Sequence, residues 1–292
     1  MSDLSEEKLL HLNKIGLIPG PGEEIEAFSK RVDYSLNLKD SLPEELLANL
    51  SGDELQKSDV LSQSCNHLKK LYDCAPDWTP LFFSNYKLPF WHGGCAWIFQ
   101  IAEDSPTSAL IQLRRTFRHS PKYLGIYNRE ELLTHELSHV GRMMFQEPKF
   151  EELLAYQTSN SAFRRWLGPL VQSSTESALF LLFLFMLIVF DVFLIASNRP
   201  DAYLMALWLK IIPVAFIALA LVRLWKKQKT YAECINKLSE CVGPDKAKAV
   251  AFRLQDNEIV RFAKMKPAEI KEYAADRMKD ELRWQVIYKA YF

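Results

Sequence analysis

Apolar positions follow three different rhythms along the chain, and each predicts a different kind of structure. From Leu4 to about Leu71 they recur every three or four residues between polar turns, which predicts short amphipathic helices. LIPGPGEE reads as a turn that opens a helix, with Glu23, Glu24 and Glu26 near its positive end, and SLPEELLANLSGDEL as a further short helix and turn. From Asp77 the texture turns aromatic and β-prone, with Ala96–Ile101 and Ala109–Phe117 as two strands joined by an Asp-Ser-Pro turn between Glu103 and Ser108. Helical rhythm returns at Asn128, where Leu132, Leu133, Leu137, Val140 and Phe145 form an apolar stripe. Asn128 and Glu131 have the spacing of an Asx-type capping box, and Gln146-Glu147-Pro148 is a stop. Pro148 then suits the first turn of a second helix, EPKFEELLAYQTSNSAFRRWL.

The third rhythm is no rhythm at all. Ala178–Ala196 is apolar throughout except for Asp191, and 19 residues rising about 1.5 Å each match a hydrocarbon layer of about 30 Å. SNRPD makes a turn, and Ala202–Trp225 returns towards Arg223, Lys226, Lys227 and Lys229. Arg164 and Arg165 precede the first span, so the positive-inside rule predicts an integral membrane protein with two spans and cytoplasmic N- and C-termini, in a bacterial inner membrane or its equivalent. Asp191 and Lys210 fall at depths within about 5 Å of each other in an antiparallel hairpin, so they are expected to pair. Thr230–Phe292 is amphipathic again and reads as three or four helices, broken at Val242–Pro244 and near Met265–Pro267.

These patterns divide the chain into an N-terminal helical region (1–76), a core that holds the two strands and the helices after them (77–170), a transmembrane hairpin (177–226, with spans 178–196 and 202–225) and a C-terminal helical region expected to be cytoplasmic (230–292). The fold class is mainly α with a small antiparallel β-sheet plus a two-helix transmembrane hairpin. A formal net charge of zero gives no reason to expect nucleic acid as a partner. MSDLSEEK contains no apolar stretch of the kind that opens a secretory signal, and the five cysteines form no CxxC pair, so reduced thiols are expected.

The chemistry lies in one helix. His135, Glu136 and His139 spell HExxH, which puts two imidazoles on one helical face, able to share a metal ion, with the Glu136 carboxylate beside them as a general base for a water. A carboxylate from the following helix completes three ligands and leaves a fourth position open; Glu151 and Glu152 are both within its first turns. Tyr156, one turn after Glu152, is placed to donate to a developing oxyanion. His92 and His119 are further histidines near these elements, and Arg142 is expected to pair with Glu147 or Glu151.

HExxH followed by Glu152-Leu153-Leu154-Ala155-Tyr156 resembles the gluzincin clan of zinc metallopeptidases, whose pattern is HExxH and then a Glu on the next helix, often as ExxA. The resemblance covers about 25 residues. It implies a zincin-like α+β core, Zn2+ held by His135, His139 and Glu152, Glu136 as base, and a peptide or protein substrate. Such folds carry a small antiparallel sheet before the metal helix whose edge strand can pair with substrate, and ALIQLRRTF is the expected edge. A weaker resemblance links Glu272-Tyr273-Ala274-Ala275-Asp276 to the ExxAD of the CAAX prenyl proteases and bacterial membrane heat-shock proteases, which also place membrane spans between HExxH and this Glu. It would make Glu272 the third ligand. The alternative function is a non-catalytic zinc-binding scaffold in a membrane complex; no pattern in the sequence specifies an oligomeric state.

Overall fold

The computed structural model describes residues 4–50, 59–102, 104–170, 174–198 and 200–292. The last residues of SLPEELLANLSGDEL, Glu103, and Arg199 of the SNRPD turn lie outside the described residues. Five helices come first: α1 (Glu6–Lys14), α2 (Ile25–Leu36), α3 (Leu38–Ser41), α4 (Glu44–Leu50) and α5 (Asp59–Tyr72). Ser5 caps α1 by accepting from the Lys8 N–H. The turn before α2 is held by Glu23, whose carboxylate accepts from the Gly20 N–H at 2.7 Å and from Arg31 Nε at 2.7 Å. Glu23 therefore ties turn to helix by direct bonds as well as by its charge.

Three strands follow, β1 (Leu81–Phe83), β2 (Gly94–Phe99) and β3 (Ser108–Leu113), in the order β1-β3-β2. β3 runs antiparallel to β2 and parallel to β1, so the sheet is mixed and β3 is its centre. This corrects two expectations, since the sheet is not purely antiparallel and ALIQLRRTF is not its edge. Gln112 of β3 is fully buried; its amide donates to the Ser84 and Tyr86 carbonyls and accepts from Trp97 Nε1 at 2.8 Å. The strand stops at Leu113 because Arg115–Arg118 turns into a 3₁₀ helix. β1 is three residues long and finds its partner across a distant crossover, which a local period of two cannot reveal. Of the sheet's two edge strands β1 is buried, so the accessible free edge is that of β2.

A two-stranded hairpin, β4 (Lys122–Tyr123) and β5 (Tyr127–Asn128), leads directly into α6 (Arg129–Gly141). Then come α7 (Pro148–Tyr156), α8 (Ala162–Leu167), α9 (Ser174–Ala196), α10 (Pro200–Ala206), α11 (Ile211–Val242), α12 (Pro244–Phe252), α13 (Asp256–Phe262), α14 (Pro267–Arg277) and α15 (Leu282–Tyr291). Two helical segments, Ala178–Ala196 and the stretch from Asp201, are long and apolar enough to cross a membrane, and only 6% of each apolar window is buried within the molecule. The second does not stop near Trp225. Lys226-Lys227-Gln228-Lys229 are good helix formers, so α11 continues into the body and ends at Gly243, whose φ of +89° lies in the left-handed region that glycine favours.

The regions that the sequence separates share one interior. A single apolar cluster runs from Leu9 and Leu12 through Ile111, Leu137 and Leu153 to Phe252, Phe262 and Trp284. Buried Arg253 fastens its two ends, donating to Asn13 Oδ1 at 2.6 Å and to the Tyr72 and Asp73 carbonyls at 2.8 and 3.0 Å. The chain thus leaves its body after residue 170, makes the hairpin, and returns to complete the same core. The chain on either side of the hairpin therefore belongs to one body.

Within the hairpin, Lys210 Nζ lies 3.0 Å from Asp191 Oδ2 and 3.3 Å from the Tyr203 hydroxyl. A lone charge at mid-bilayer costs about 2.5–3.5 kcal/mol on insertion scales. Asp191→Asn and Lys210→Met are each expected to lower the thermal midpoint of the detergent-solubilised protein, and the double change to recover most of the loss. Additive losses in that cycle would show that the two charges are energetically independent.

Candidate metal centre

α6 is built to hold its polar face rigidly. Asn128 Oδ1 accepts from the N–H groups of Glu130 and Glu131 at 3.0 and 3.2 Å, while Leu133, Leu137 and Val140 are completely buried. The reciprocal half of the expected capping box is not made: the Glu131 carboxylate turns into an adjoining cavity, where it accepts from Ser159 Oγ and, at 3.0 Å, from Arg164. α7 is positioned from far along the chain. The N–H groups of Lys149 and Phe150 donate to the Asp256 carboxylate at 2.8 and 3.1 Å, and the Glu147 carboxylate accepts from the Asp256 N–H. Each of α7 and α13 thereby satisfies free N–H groups at the start of the other.

With the two helices fixed, the two adjacent carboxylates of α7 take different tasks. Glu152 Oε2 lies 3.6 Å from His135 Nε2, and its Oε1 lies 3.7 Å from His139 Nε2; the two imidazole nitrogens are 3.3 Å apart. Donors around a tetrahedral ion at bond lengths of about 2.0–2.1 Å stand about 3.3–3.4 Å from one another, so a cluster that brings one oxygen of Glu152 near each imidazole nitrogen could hold a metal ion. Glu151 faces the other side of the ring. Its Oε1 is 3.0 Å from His139 Nδ1 and its Oε2 accepts from Arg142 Nε at 2.7 Å. Arg142 in turn donates to the Phe252 and Leu254 carbonyls, so the orientation of His139 is referred to the loop after α12. Glu272 is exposed on α14 and has no part in the cluster; among the described residues, His135, His139 and Glu152 form the group whose donor atoms all lie within 4.8 Å.

Glu136 follows His135 on α6, and its Oε2 accepts from the Ala96 N–H of β2 at 2.7 Å. The free edge of the sheet therefore lies beside the carboxylate. The ring of Tyr156 meets that of His135 edge to face at 4.7 Å. Gly168 presses against Tyr156 so closely that a Cβ there would come within 2.2 Å of Cδ1. His135, Glu136 and Tyr156 open onto a cavity of about 460 Å³, walled by Leu132, Ile126, Phe163, Leu167 and the Glu131–Arg164 pair. His92 also lines it, whereas His119 is exposed. The Asp256 cap and the Glu131–Ser159–Arg164 wall have no local signal in the sequence, since their partners are 28 or more residues away.

Burial and its neighbour His139 push His135 down to about 3, so its ring is neutral. For His139 burial also favours the neutral form, yet the hydrogen bond and charge of Glu151 outweigh it and raise the ring to about 9. Burial raises Glu136 above the usual carboxylate range, partly offset by His139 and the Ala96 N–H. Burial, with Glu152 adding to it, lifts the Tyr156 phenol to about 12 and keeps it a neutral donor.

A prediction follows for the metal-free protein. The folded state holds the His139 proton more tightly than the unfolded chain does, so this stabilisation is complete below a pH of about 6.5 and is lost as pH rises towards 9. The thermal midpoint of the chelator-treated protein is expected to fall across that window, and Glu151→Gln to flatten the fall. A flat profile in the unmodified protein would remove the Glu151–His139 coupling. Comparison of the chain with protein-family models, with curated proteins and with solved structures finds no match.

Proposed function

We propose that this chain is a membrane-anchored zinc metallopeptidase of gluzincin-like design. The observation that carries the reading is the placing of two imidazole nitrogens and the Glu152 carboxylate 3.3–3.7 Å apart, with Glu136 held beside them by a sheet-edge N–H. His135, His139 and Glu152 would hold the ion. When bound, zinc supplies a Lewis acid and lowers the pKa of a water towards neutrality. The chain's own residues do the rest. Glu136 takes the proton of the attacking water on its carboxylate and returns it to the leaving amine nitrogen. Tyr156 donates its hydroxyl proton in a hydrogen bond to the oxyanion that forms from the scissile carbonyl. Glu151 accepts from His139 Nδ1 and keeps Nε2 turned inward, the usual support for a metal-ligating imidazole. The free edge of β2 gives an extended peptide a strand to pair with, in place of the β3 edge expected from the sequence.

An open cavity against a three-donor site suits a reaction centre, whereas structural zinc sites close with four protein ligands. The decisive experiment is zinc content together with cleavage of unfolded proteins and a peptide library, before and after chelation. One zinc per chain, cleavage lost with the metal and restored by its return, is the expected result. Zinc without cleavage would make the chain a metal-holding scaffold, and no zinc would end both readings. Because the hairpin joins one body at both ends and carries Arg164, Arg165, Lys226 and Lys229 there, we place that body in the cytoplasm. Arg199→Cys should then be labelled by an impermeant reagent from the opposite side; labelling from the cytoplasmic side would refute this orientation.

A further inference from the structure

Around the mouth of the cavity, large apolar side chains face outward instead of inward. Phe90, Trp91, Leu124, Ile126, Phe163 and Trp166 are each 45–70% exposed. They form one rim. Phe90 and Trp91 meet edge to face at 4.8 Å, the Tyr123 and Tyr127 hydroxyls donate to the Phe90 and Trp91 carbonyls, and Arg164 of α8 donates to the Ile126 carbonyl. Leu124 sits at the tip of the β4–β5 hairpin with φ of +50°, a conformation that asparagine or glycine would adopt more easily. An apolar side chain occupies the outermost point of the turn.

Charge separates in the same place. The three rim segments, 85–92, 114–129 and 162–167, contain eight Lys or Arg and no Asp or Glu, in a chain whose net charge is zero. Lys87, Arg115, Arg118 and Lys122 are exposed. The rim is also continuous with the hairpin, because Gln228 Nε2 of α11 donates to the Arg165 and Trp166 carbonyls at 3.1 and 3.2 Å. Trp225, half exposed and less than a turn earlier on α11, stands where that apolar helix enters the body. Trp166 is thus tied to the part of α11 that follows its apolar stretch.

Exposed aromatic and aliphatic side chains on segments rich in Lys and Arg, fixed at the end of a spanning helix, match the interfacial layer of an anionic bilayer. We propose that the rim is a second membrane-contacting surface, which rests the mouth of the cavity on the headgroup and upper acyl region of the bilayer crossed by the hairpin. Lipid contact needs neither zinc nor hydrolysis, so it is tested apart from them.

The full chain, and its Glu136→Gln variant, are reconstituted into vesicles of phosphatidylcholine with phosphatidylglycerol that contain a phospholipid carrying a photoactivatable diazirine near the headgroup. Adducts are mapped by mass spectrometry. Labelling of peptides 85–92, 120–128 and 162–167 as well as of 178–225, equal in both proteins and several-fold weaker at the rim in phosphatidylcholine alone, is the expected result. In Phe90→Ser/Leu124→Asn, rim adducts should fall several-fold while hairpin adducts persist as an internal control of insertion. Adducts confined to 178–225 would overturn the proposal. So would rim peptides that cross-link to a second copy of the chain and take no lipid, and so would rim labelling indifferent to anionic lipid.

Discussion

Glu136→Gln is expected to retain one zinc per chain and to lower kcat/KM for peptide cleavage by about 10²–10⁴, the usual contribution of a general base. The proposed ligand set, His135, His139 and Glu152, is untouched by the change. An amide is nearly the same size as a carboxylate, and its oxygen can still accept from the Ala96 N–H, so the local structure should persist. What disappears is the basic oxygen that receives a proton. Burial raises the Glu136 carboxyl above the ordinary range, so on the proposed function the unmodified protein should also lose rate as pH falls through that raised value, when the base becomes protonated before it can act. The Gln variant should lack that acid limb. Metal analysis beside a kcat/KM profile reads both quantities, and a variant that keeps its rate would remove Glu136 from the chemistry.

The parts of this centre that the sequence discloses are those set by one helix. His135 and His139 share a face because they are four residues apart, and Pro148 opens α7 because a proline suits the first turn. Choosing between Glu151 and Glu152 is a different matter, since both lie in the same turn and the crossing of α7 over α6 decides which one faces Nε2. That crossing is fixed by Asp256, more than a hundred residues on, and by Arg142 reaching Phe252 and Leu254. The same limit explains the sheet. β2 and β3 are adjacent in sequence and their pairing is legible, but β1 joins from the other side and turns the expected edge into the centre. The Asp191–Lys210 pair was open to inference because a hairpin converts sequence distance into depth. The merging of the N- and C-terminal regions was not, because an amphipathic helix shows which face it buries and not what it meets.

The three carboxylates named as possible third ligands should separate in a zinc titration. Glu152→Ala removes a donor and is expected to weaken binding more than any other single change among the three. Its effect on the metal-free fold should be small, since Glu152 is partly exposed and its contacts to the two imidazoles are 3.6 and 3.7 Å. Glu151→Gln acts indirectly. It loosens the support on His139 Nδ1, which typically costs 10–100-fold in metal affinity, and it leaves the buried Arg142 guanidinium without its charge partner. Breaking a buried ion pair from one side costs about 3–5 kcal/mol, so this variant should lose stability with or without zinc, a signature that a simple ligand does not show. Glu272→Ala, on the exposed face of α14, should change neither quantity. Competition with a zinc-sensitive dye gives the affinities, and urea unfolding of the chelated proteins in detergent gives the stabilities. If Glu151→Gln abolished binding while Glu152→Ala left it intact, the two neighbours would exchange roles, and an effect at Glu272 would require α14 to swing onto the metal helix.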